Sequence, residues 1–197
     1  MKDISKEYIQ NIYSRELKFL FDGIANSKNP YHFFTLSTIH NKNPESRTVV
    51  LRNVIKKPLT LFFNADYRSP KVKQLINNPN CTALFYDNNR KMQLRFKCKS
   101  TIHYNNKISK KVWNKTALQS RKCYMGNYKP STITESWSPN IPKKYLKIDP
   151  EKKDSELGYE NFTVVELSII ISDILELHHD GHIRFYIDSN KFLFVSP

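Results

Sequence analysis

The stretch from residue 64 to residue 72 combines residue types that could bind an anion. It reads Asn64-Ala65-Asp66-Tyr67-Arg68-Ser69-Pro70-Lys71-Val72. Ser69 is a favourable N-cap and Pro70 suits the first helical position, so the pattern predicts a helix that begins directly after a strand. The unpaired N–H groups of a first helical turn attract anions, and Arg68 and Lys71 add charge beside them. An ordinary capped surface helix explains the same residues, and this stretch alone does not decide between the two interpretations.

A second stretch, Ser46–Val54, has the alternating pattern of a strand with an arginine near each end. Period-two alternation places Arg47, Val49 and Leu51 on one face, and the other face carries Thr48, Val50 and Arg52. The two arginines could reach two different anions while the strand backbone faces something flat and apolar. Edge strands also carry basic residues simply to remain soluble, so the stretch is weak evidence by itself.

A third stretch, Arg90–Phe96, places Gln93 and Arg95 on one face of a predicted strand. An uncharged amide beside a cation could bind the polar edge of a heterocycle. The same solubility argument applies to this strand. The chain has only 8 arginines among its 32 basic residues. Each arginine is therefore informative, because planar phosphate contacts favour arginine over lysine.

Short strands and a few helices must position these groups. An amphipathic helix is predicted over 4–25, and further helices over Ser69–Asn78 and Asn106–Tyr124. Residues 126–160 are rich in proline and predict a long loop. The predicted strands are Tyr31–Ile39, Ser46–Val54, Leu59–Asn64, Cys81–Tyr86, Met92–His103, Phe162–Ser172, Asp173–His178, His182–Ile187 and Phe192–Val195. This order predicts an α+β fold built on a mainly antiparallel β-barrel, with an N-terminal helix and two further helices.

Charge is distributed unevenly along the 197 residues, which we expect to form one domain over 1–197. Residues 88–148 hold 15 basic side chains and one acidic side chain, whereas 149–197 hold 4 basic and 10 acidic ones. Such a basic segment favours an anionic partner: a phosphorylated ligand, a nucleic acid or an acidic protein surface. A lysine-rich composition on solvated faces is the other explanation.

Three cysteines without a CxxC pair argue against a disulfide scaffold, and no run of about 18 apolar residues predicts a membrane span. The N-terminus has no signal-peptide pattern, so we predict a cytoplasmic protein. Three histidines near Asp180-Gly181 could gather around a metal, but no Cys or Glu completes a tetrahedral set nearby, so no metal site is predicted. Trp113 and Trp137 are expected to be core or interface anchors.

Taken together and in this order, the stretches resemble the pyridoxamine 5′-phosphate oxidase-related, FMN-binding split-barrel family. The resemblance covers most of residues 30–197. The matching segments are 46–52, 62–71, 78–79 leading into 83–87, 92–95, 120–124, 161–162 and 181–197. No single motif is decisive, but their order and spacing are specific as a set.

The resemblance implies a split-barrel homodimer with two FMN molecules at the subunit interface. In this family the first strand's arginine binds the flavin phosphate and the strand backbone lies along the isoalloxazine ring. Further phosphate contacts come from the loop that follows a later strand, and the family's glutamine faces the polar edge of the ring. By this correspondence the cofactor-binding residues are Arg47, Thr48, Val49, Val50, Leu51, Arg52, Asn64, Ala65, Arg68, Ser69, Lys71, Gln93 and Arg184.

Departures from the oxidases indicate a relative of the oxidase, not the oxidase itself. The Trp-bearing strand and Arg-x-His cluster of the oxidases correspond here to 177–182, where Leu177 replaces the tryptophan. The oxidases' substrate-phosphate trio is not reproduced by Trp113, Ala117 and Arg121. Arg52 occupies the position of an oxidase lysine shared between cofactor and substrate phosphate. Cofactor binding thus carries over better than pyridoxamine phosphate specificity.

Two functions of different class follow. The first is an FMN-dependent oxidoreductase that transfers a hydride through flavin N5, with Gln93 and the backbone N–H groups of 48–51 near the reduced ring. The sequence does not identify the small-molecule substrate, whether that substrate is phosphorylated, or the electron acceptor. It also indicates no catalytic acid or base. The alternative is a non-catalytic FMN carrier, or an anion- or nucleic-acid-binding protein that uses the basic segment 88–148. No nucleic-acid-binding signature is present, which favours the first function.

Overall fold

The computed structural model describes residues 4–197, and these separate into two compact units. Unit 1 holds the described residues up to Phe63 together with Asn78–Thr101 and Glu166–Pro197. Unit 2 holds Asn64–Asn77 and Ile102–Val165. The expectation of one domain over 1–197 remains a prediction.

Five α-helices and nine strands lie in the described part of the chain, joined by short 3₁₀ turns. The helices are α1 (Lys6–Asp22), α2 (Pro70–Asn77), α3 (Lys107–Lys115), α4 (Leu118–Arg121) and α5 (Lys152–Ser155). The strands are β1 (Phe33–His40), β2 (Asn43–Val50), β3 (Asn53–Lys56), β4 (Leu59–Asp66), β5 (Asn80–Asp87), β6 (Met92–Tyr104), β7 (Phe162–Glu176), β8 (Ile183–Asp188) and β9 (Lys191–Phe194).

The strands form one sheet in the order β2-β1-β5-β6-β7-β4-β3, and β8 adds to β7 and carries β9. All the strand pairs with a defined register are antiparallel. The predicted α+β class, the mainly antiparallel sheet and the N-terminal helix are thus confirmed. Because β2 lies at one end of the strand order, only its β1 side is hydrogen-bonded to another strand among residues 4–197.

The core of unit 1 lies between α1 and the inner face of the sheet. Helix α1 begins at Ser5, whose Oγ accepts from the Tyr8 N–H at 3.1 Å. The apolar residues at helical spacing predicted for 4–25 supply the buried stripe that includes Ile9, Ile12 and Leu20. The sheet contributes a set of side chains with little or no exposure: Phe34, Leu36, Leu61, Phe63, Ala83, Phe85, Leu94 and Phe96.

Glu16 is a buried carboxylate on the inner side of α1, with only 1% of its side chain exposed. Arg90 donates to both of its oxygens at 2.7 Å, and the Tyr31 hydroxyl donates to Oε2 at 2.7 Å. Arg90 also binds Asp87 at 2.6 Å and stacks on the Phe19 ring. Burial and the nearby negative charge of Glu16 raise the pKa of Tyr31, so the phenol stays protonated and remains a donor. This cluster ties α1 to the turn between β5 and β6.

The core of unit 2 forms around Trp113 of α3, which is fully buried. The rings of Tyr124, Tyr159 and Phe162 pack against it. Arg121, 2% exposed, stacks on the Trp113 ring and donates to the carbonyls of Trp113 and Thr116 and to Ser155 and Glu156. Trp113 is therefore confirmed as a core residue. Trp137 is 86% exposed, so the core interpretation of Trp137 is wrong and only its interface role remains a prediction.

Several predicted boundaries differ from the structure. The strand predicted over Ser46–Val54 is two strands, since Leu51 N donates to His32 O and Arg52 N donates to Phe62 O between β2 and β3. The helix predicted over Asn106–Tyr124 breaks at Thr116, whose backbone is extended. The two strands predicted over 162–178 are the continuous β7. The loop predicted over 126–160 contains α5 and two 3₁₀ turns.

None of the helices in the part of the chain that the structure describes has the length and apolarity needed to cross a membrane. The cytoplasmic location remains a prediction.

Replacing the buried carboxylate is expected to destabilise the fold strongly. Glu16→Gln removes one of the two buried carboxylates that pair with Arg90, which should lower the free energy of unfolding by roughly 3 kcal/mol. Urea denaturation followed by circular dichroism measures this change. The control is Glu7→Gln on the exposed face of the same helix, with an expected loss below about 1 kcal/mol. Equal losses in the two variants would contradict the role given to Glu16.

Candidate functional site

The predicted anion-binding loop lies in unit 2, where β4 ends and α2 begins. Helix α2 starts at Pro70, directly after Ser69, as the sequence predicts. Val72 N donates to the Ser69 carbonyl at 3.1 Å, which forms the first turn. The predicted residues Asn64, Ala65, Arg68, Ser69 and Lys71 are thus brought together in one short segment; Ala65 is buried and Lys71 is half-buried.

Asp66 and two backbone contacts brace this loop. The Asp66 carboxylate accepts from the Arg68 backbone N–H at 2.8 Å and from its guanidinium at 3.0 and 2.7 Å. Arg68 Nη2 also donates to the Gly126 carbonyl at 3.0 Å. Tyr67 N donates to Asn161 O at 2.7 Å, and the Tyr67 ring stacks on Tyr104 with centroids 3.6 Å apart. Arg68 is therefore held by the protein, and we expect it to support the loop more than it contacts a ligand.

Two buried oxygen atoms in this loop have no hydrogen-bond partner: Ser69 Oγ and Asn64 Oδ1. Ser69 is 1% exposed, and its hydroxyl does not cap α2 even though the residue occupies the N-cap position. A buried polar atom without a partner costs about 1–3 kcal/mol, so a ligand that supplied one would bind with a corresponding gain. A serine hydroxyl can donate to a phosphate oxygen, and an amide oxygen can accept from a hydroxyl. These two atoms fit the phosphate and the ribityl hydroxyls of FMN.

Strand β2, in unit 1, carries the residues predicted to lie along the flavin. Val49 and Leu51 are buried, Thr48 is exposed and Val50 is half-buried, in agreement with the predicted alternation. The free edge of β2 leaves backbone groups available for a flat ligand. Two of the predicted donors are not available: the Leu51 N–H is bound to the His32 carbonyl at 2.9 Å, and by the alternation of an antiparallel pair the Val49 N–H also faces β1.

The two arginines near the ends of β2 differ in how they are held. Arg47 donates to Thr38 Oγ1 at 2.6 Å, to the Leu36 carbonyl at 3.3 Å and to Glu45 at 3.2 Å. Partial burial lowers the pKa of Arg47, and the negative charge of Glu45 opposes that effect. Arg52 is exposed. Every other arginine in residues 4–197 forms an ion pair with a carboxylate, and Arg52 does not. Its guanidinium is therefore the one most available to an anion.

Gln93 and Arg184 lie elsewhere in unit 1, on β6 and β8. Gln93 is half-buried and stands opposite Tyr86 of β5. Arg184 donates to Asp173 of β7 at 3.1 and 3.0 Å and to the Tyr186 hydroxyl at 3.1 Å. Asp173 also binds Arg95 of β6, so two arginines share one carboxylate.

The strand registers show which predicted residues share the outer face of the sheet. Thr48 is opposite Thr35, Thr35 is opposite Leu84, and Leu84 is opposite Arg95. One row of side chains thus crosses four strands from β2 to β6, a distance of roughly 14 Å at about 4.8 Å per strand. β8 lies two strands beyond β6, so Arg184 is roughly 24 Å from Thr48 along the sheet. Along the sheet of one chain, the residues predicted to contact the flavin ring are therefore spread over six strands.

Sequence reasoning missed the acidic and polar partners of the predicted basic residues. Thr38 holds Arg47, Asp66 holds Arg68, and Asp173 holds Arg184. Asp66 lies two residues from Arg68 and could have been found from this spacing. The other two partners lie on neighbouring strands, and only the strand pairing reveals them. No group of three His, Cys, Asp or Glu side chains in residues 4–197 is arranged for a metal ion.

Comparison with known proteins agrees with this fold. Residues 14–104 match the family described as pyridoxamine 5′-phosphate oxidase, FMN-binding domain. A pyridoxamine 5′-phosphate oxidase-related, FMN binding protein from Nostoc punctiforme superposes with a TM-score of 0.70 at 19% identity, over 94% of this chain and 97% of that one. PhzG from Burkholderia lata, solved with tetrahydrophenazine-1-carboxylic acid, gives 0.68 at 12% identity, over 95% and 91%.

A protein from Clostridium acetobutylicum related to general stress protein 26 superposes with a TM-score of 0.54 at 14% identity, over 88% of this chain and 98% of that one. No curated protein matches the chain. The structural matches confirm the split-barrel fold. The family similarity thus extends over residues 14–104, a little under half of the chain, and the likeness in fold extends over nearly all of it.

Removing the unpartnered hydroxyl should not destabilise the protein on its own. Ser69→Ala deletes a buried polar atom that makes no hydrogen bond, so the free energy of unfolding should stay the same or rise by about 1 kcal/mol. Chemical denaturation without ligand measures this change. The control is Ser5→Ala, which removes a cap that is formed, with an expected loss of about 1 kcal/mol. A comparable loss in Ser69→Ala would show that this hydroxyl has a partner in the free protein.

Proposed function

We propose that this chain is an FMN-dependent oxidoreductase that acts on a small molecule as a homodimer. The observation that carries the proposal is the buried, unpartnered hydroxyl of Ser69 at the start of α2. It lies in a braced loop, beside a second buried oxygen without a partner on Asn64. The loop belongs to a chain whose family domain is FMN-binding.

Most of the predicted cofactor residues have a role that their surroundings support. Ser69, Lys71 and the first turn of α2 would hold the phosphate, and Asn64 would accept from the ribityl chain. Arg47 and Arg52 would add positive charge from the two ends of β2, while Thr48, Val49 and Val50 would lie along the ring. Gln93 would face the polar edge of the ring.

The flavin supplies a hydride acceptor at N5, and the protein supplies position and electrostatics. The charge of the reduced ring requires donors nearby, for which Gln93 and the backbone N–H groups of Thr48 and Val50, which face away from β1, are the candidates. Val49 and Leu51 are removed from the set predicted earlier because their N–H groups are used within the fold. The arrangement identifies neither an acid–base residue nor a particular substrate.

The separation of the predicted contacts along the sheet supports a homodimer. A flavin ring is far shorter than the roughly 24 Å that separates Thr48 from Arg184 along the sheet of one chain, so a ring on β2 would take its arginine from elsewhere. A second copy supplies it. The outer face between these residues exposes large apolar side chains, with Phe33 46% and Tyr86 43% exposed. Exposed apolar side chains on one sheet face are typical of an interface.

The alternatives receive less support from the contacts. Four basic residues of segment 88–148 in unit 2 are paired with acidic residues beyond position 148: Lys110, Arg121, Lys122 and Lys144. Arg90 and Arg95 of unit 1 are paired as well. The basic segment is thus partly neutralised within the fold, which weakens the case for a nucleic-acid partner. A non-catalytic FMN carrier would show stoichiometric flavin without turnover.

FMN and riboflavin together test the phosphate loop. The purified protein should bind about one FMN per chain, measured by flavin absorbance and fluorescence quenching. Ser69→Ala should weaken FMN binding roughly 10- to 100-fold, because the lost hydrogen bond is to a charged group. Riboflavin has no phosphate, so its weaker binding should not change in this variant. No FMN uptake by the unmodified protein would refute the proposal, and an equal loss for both ligands would refute the role of Ser69.

The interface can be tested by placing a charge on the outer face. Leu84→Arg should convert a particle of twice the 23.3 kDa chain mass into monomers and reduce FMN binding at the same time. Analytical ultracentrifugation of both forms measures the mass. Ile55→Arg on β3, at the opposite end of the strand order, is the control and should stay dimeric. A Leu84→Arg protein that remained dimeric would place the interface on another surface.

A further inference from the structure

The carboxylate of Asp173 on β7 joins three strands of unit 1 and is 1% exposed. Arg95 of β6 donates to its Oδ2 through Nε at 2.9 Å and through Nη2. Arg184 of β8 donates to Oδ1 at 3.1 Å and to Oδ2 at 3.0 Å. Burial alone would raise the pKa of Asp173, but the hydrogen bonds from Arg184 and Arg95 outweigh it and lower the pKa. Asp173 is therefore ionised near neutral pH.

The group has one negative and two positive charges, so its net charge is +1. Each arginine binds Asp173 through its Nε and Nη2, and no residue in the described range 4–197 accepts from either Nη1. Arg95 is 40% exposed and Arg184 22% exposed, in contrast to the buried carboxylate. Both guanidiniums are fixed on one edge while their other N–H groups remain available to a ligand.

The group lies on the face that carries the predicted flavin contacts. Asp173 stands opposite Tyr186, and Leu175 opposite Arg184, so these side chains share one face of the β7–β8 pair. Arg95 is two residues from Gln93 on β6, on the same side of that strand, about 7 Å along it. An isoalloxazine ring at this face would have its polar edge near the fixed guanidiniums.

From this arrangement, and on the basis of the function proposed above, we propose that Asp173 is a positioning residue that sets the reduction potential of the bound flavin. It orients Arg95 and Arg184 and reduces their combined charge from +2 to +1. A positive charge stabilises the reduced ring, which is anionic, more than the neutral oxidised ring. Removing the carboxylate should therefore favour reduction, and removing either arginine should oppose it.

The test compares midpoint potentials of FMN-loaded variants by spectroelectrochemical titration. In Asp173→Asn, the preference for reduced over oxidised FMN should be about tenfold greater than in the unmodified protein. This change raises the midpoint potential by about 30 mV. Arg95→Gln and Arg184→Gln should shift it by a similar amount to lower values. Asp173→Glu, which keeps the charge, should restore the original potential. A purely structural role would loosen the site in all these variants and would not give shifts of opposite sign.

Asp87→Asn is the matched control, because Asp87 is also buried and paired with an arginine, Arg90, that is not a predicted flavin contact. Its potential should not change. If Asp173→Asn does not fold, the proposal is tested with Arg95→Gln, because Arg95 is the more exposed residue. An unchanged midpoint potential in Arg95→Gln overturns the proposal. If the unmodified protein takes up FMN but the midpoint potentials of the variants are unchanged or all shift in the same direction, this inference alone is overturned. No FMN uptake overturns the proposed function together with it.

Discussion

Ion pairs between arginines and carboxylates hold the parts of each unit in place. Glu16 connects α1 to the β5–β6 turn through Arg90, and Asp173 connects β6, β7 and β8. In unit 2, Arg121 joins α3 and α4 to the 3₁₀ turn that begins at Glu156. Each of these groups has one charge that is almost fully buried, on Glu16, Asp173 or Arg121, and loss of the partner of a buried charge costs far more than at a surface. The sheet and its helices are thus fixed by a few charges rather than by apolar packing alone.

The arginines differ in whether their N–H groups are all used within the fold or remain available to a ligand. A guanidinium bound through one edge to a carboxylate keeps a fixed direction, and its remaining N–H groups can serve a ligand without further ordering cost. Arg184 has that arrangement, whereas the N–H groups of Arg121 form hydrogen bonds inside the core of unit 2. Arg52 has the opposite character: it is exposed and would have to be ordered when a ligand binds.

The sequence predicted the local features of the site well, because they depend on neighbouring residues. The Ser69-Pro70 helix start and the alternation of β2 follow from capping and period-two rules. The break after β2 was not predictable in this way, since it depends on contacts from Leu51 to His32 and from Arg52 to Phe62. The partners of the arginines were also missed. Arg95 and Asp173 are 78 positions apart, and Arg90 and Glu16 are 74 apart, so only the assembled sheet brings them together.

The order in which the charges occur along the chain bears on how the protein folds during synthesis. Residues 1–148 hold 28 basic and 8 acidic side chains, and the carboxylates of Asp149, Asp154, Glu156 and Asp173 are made only afterwards. Strand β7, which lies between β6 and β4 in the sheet, also belongs to this late segment. The nascent chain therefore leaves the ribosome strongly cationic and with its sheet incomplete, next to ribosomal RNA. Synthesis of residues 149–197 both supplies the missing strands and lowers the formal net charge from +20 to +14, which weakens the attraction of the chain to polyanions.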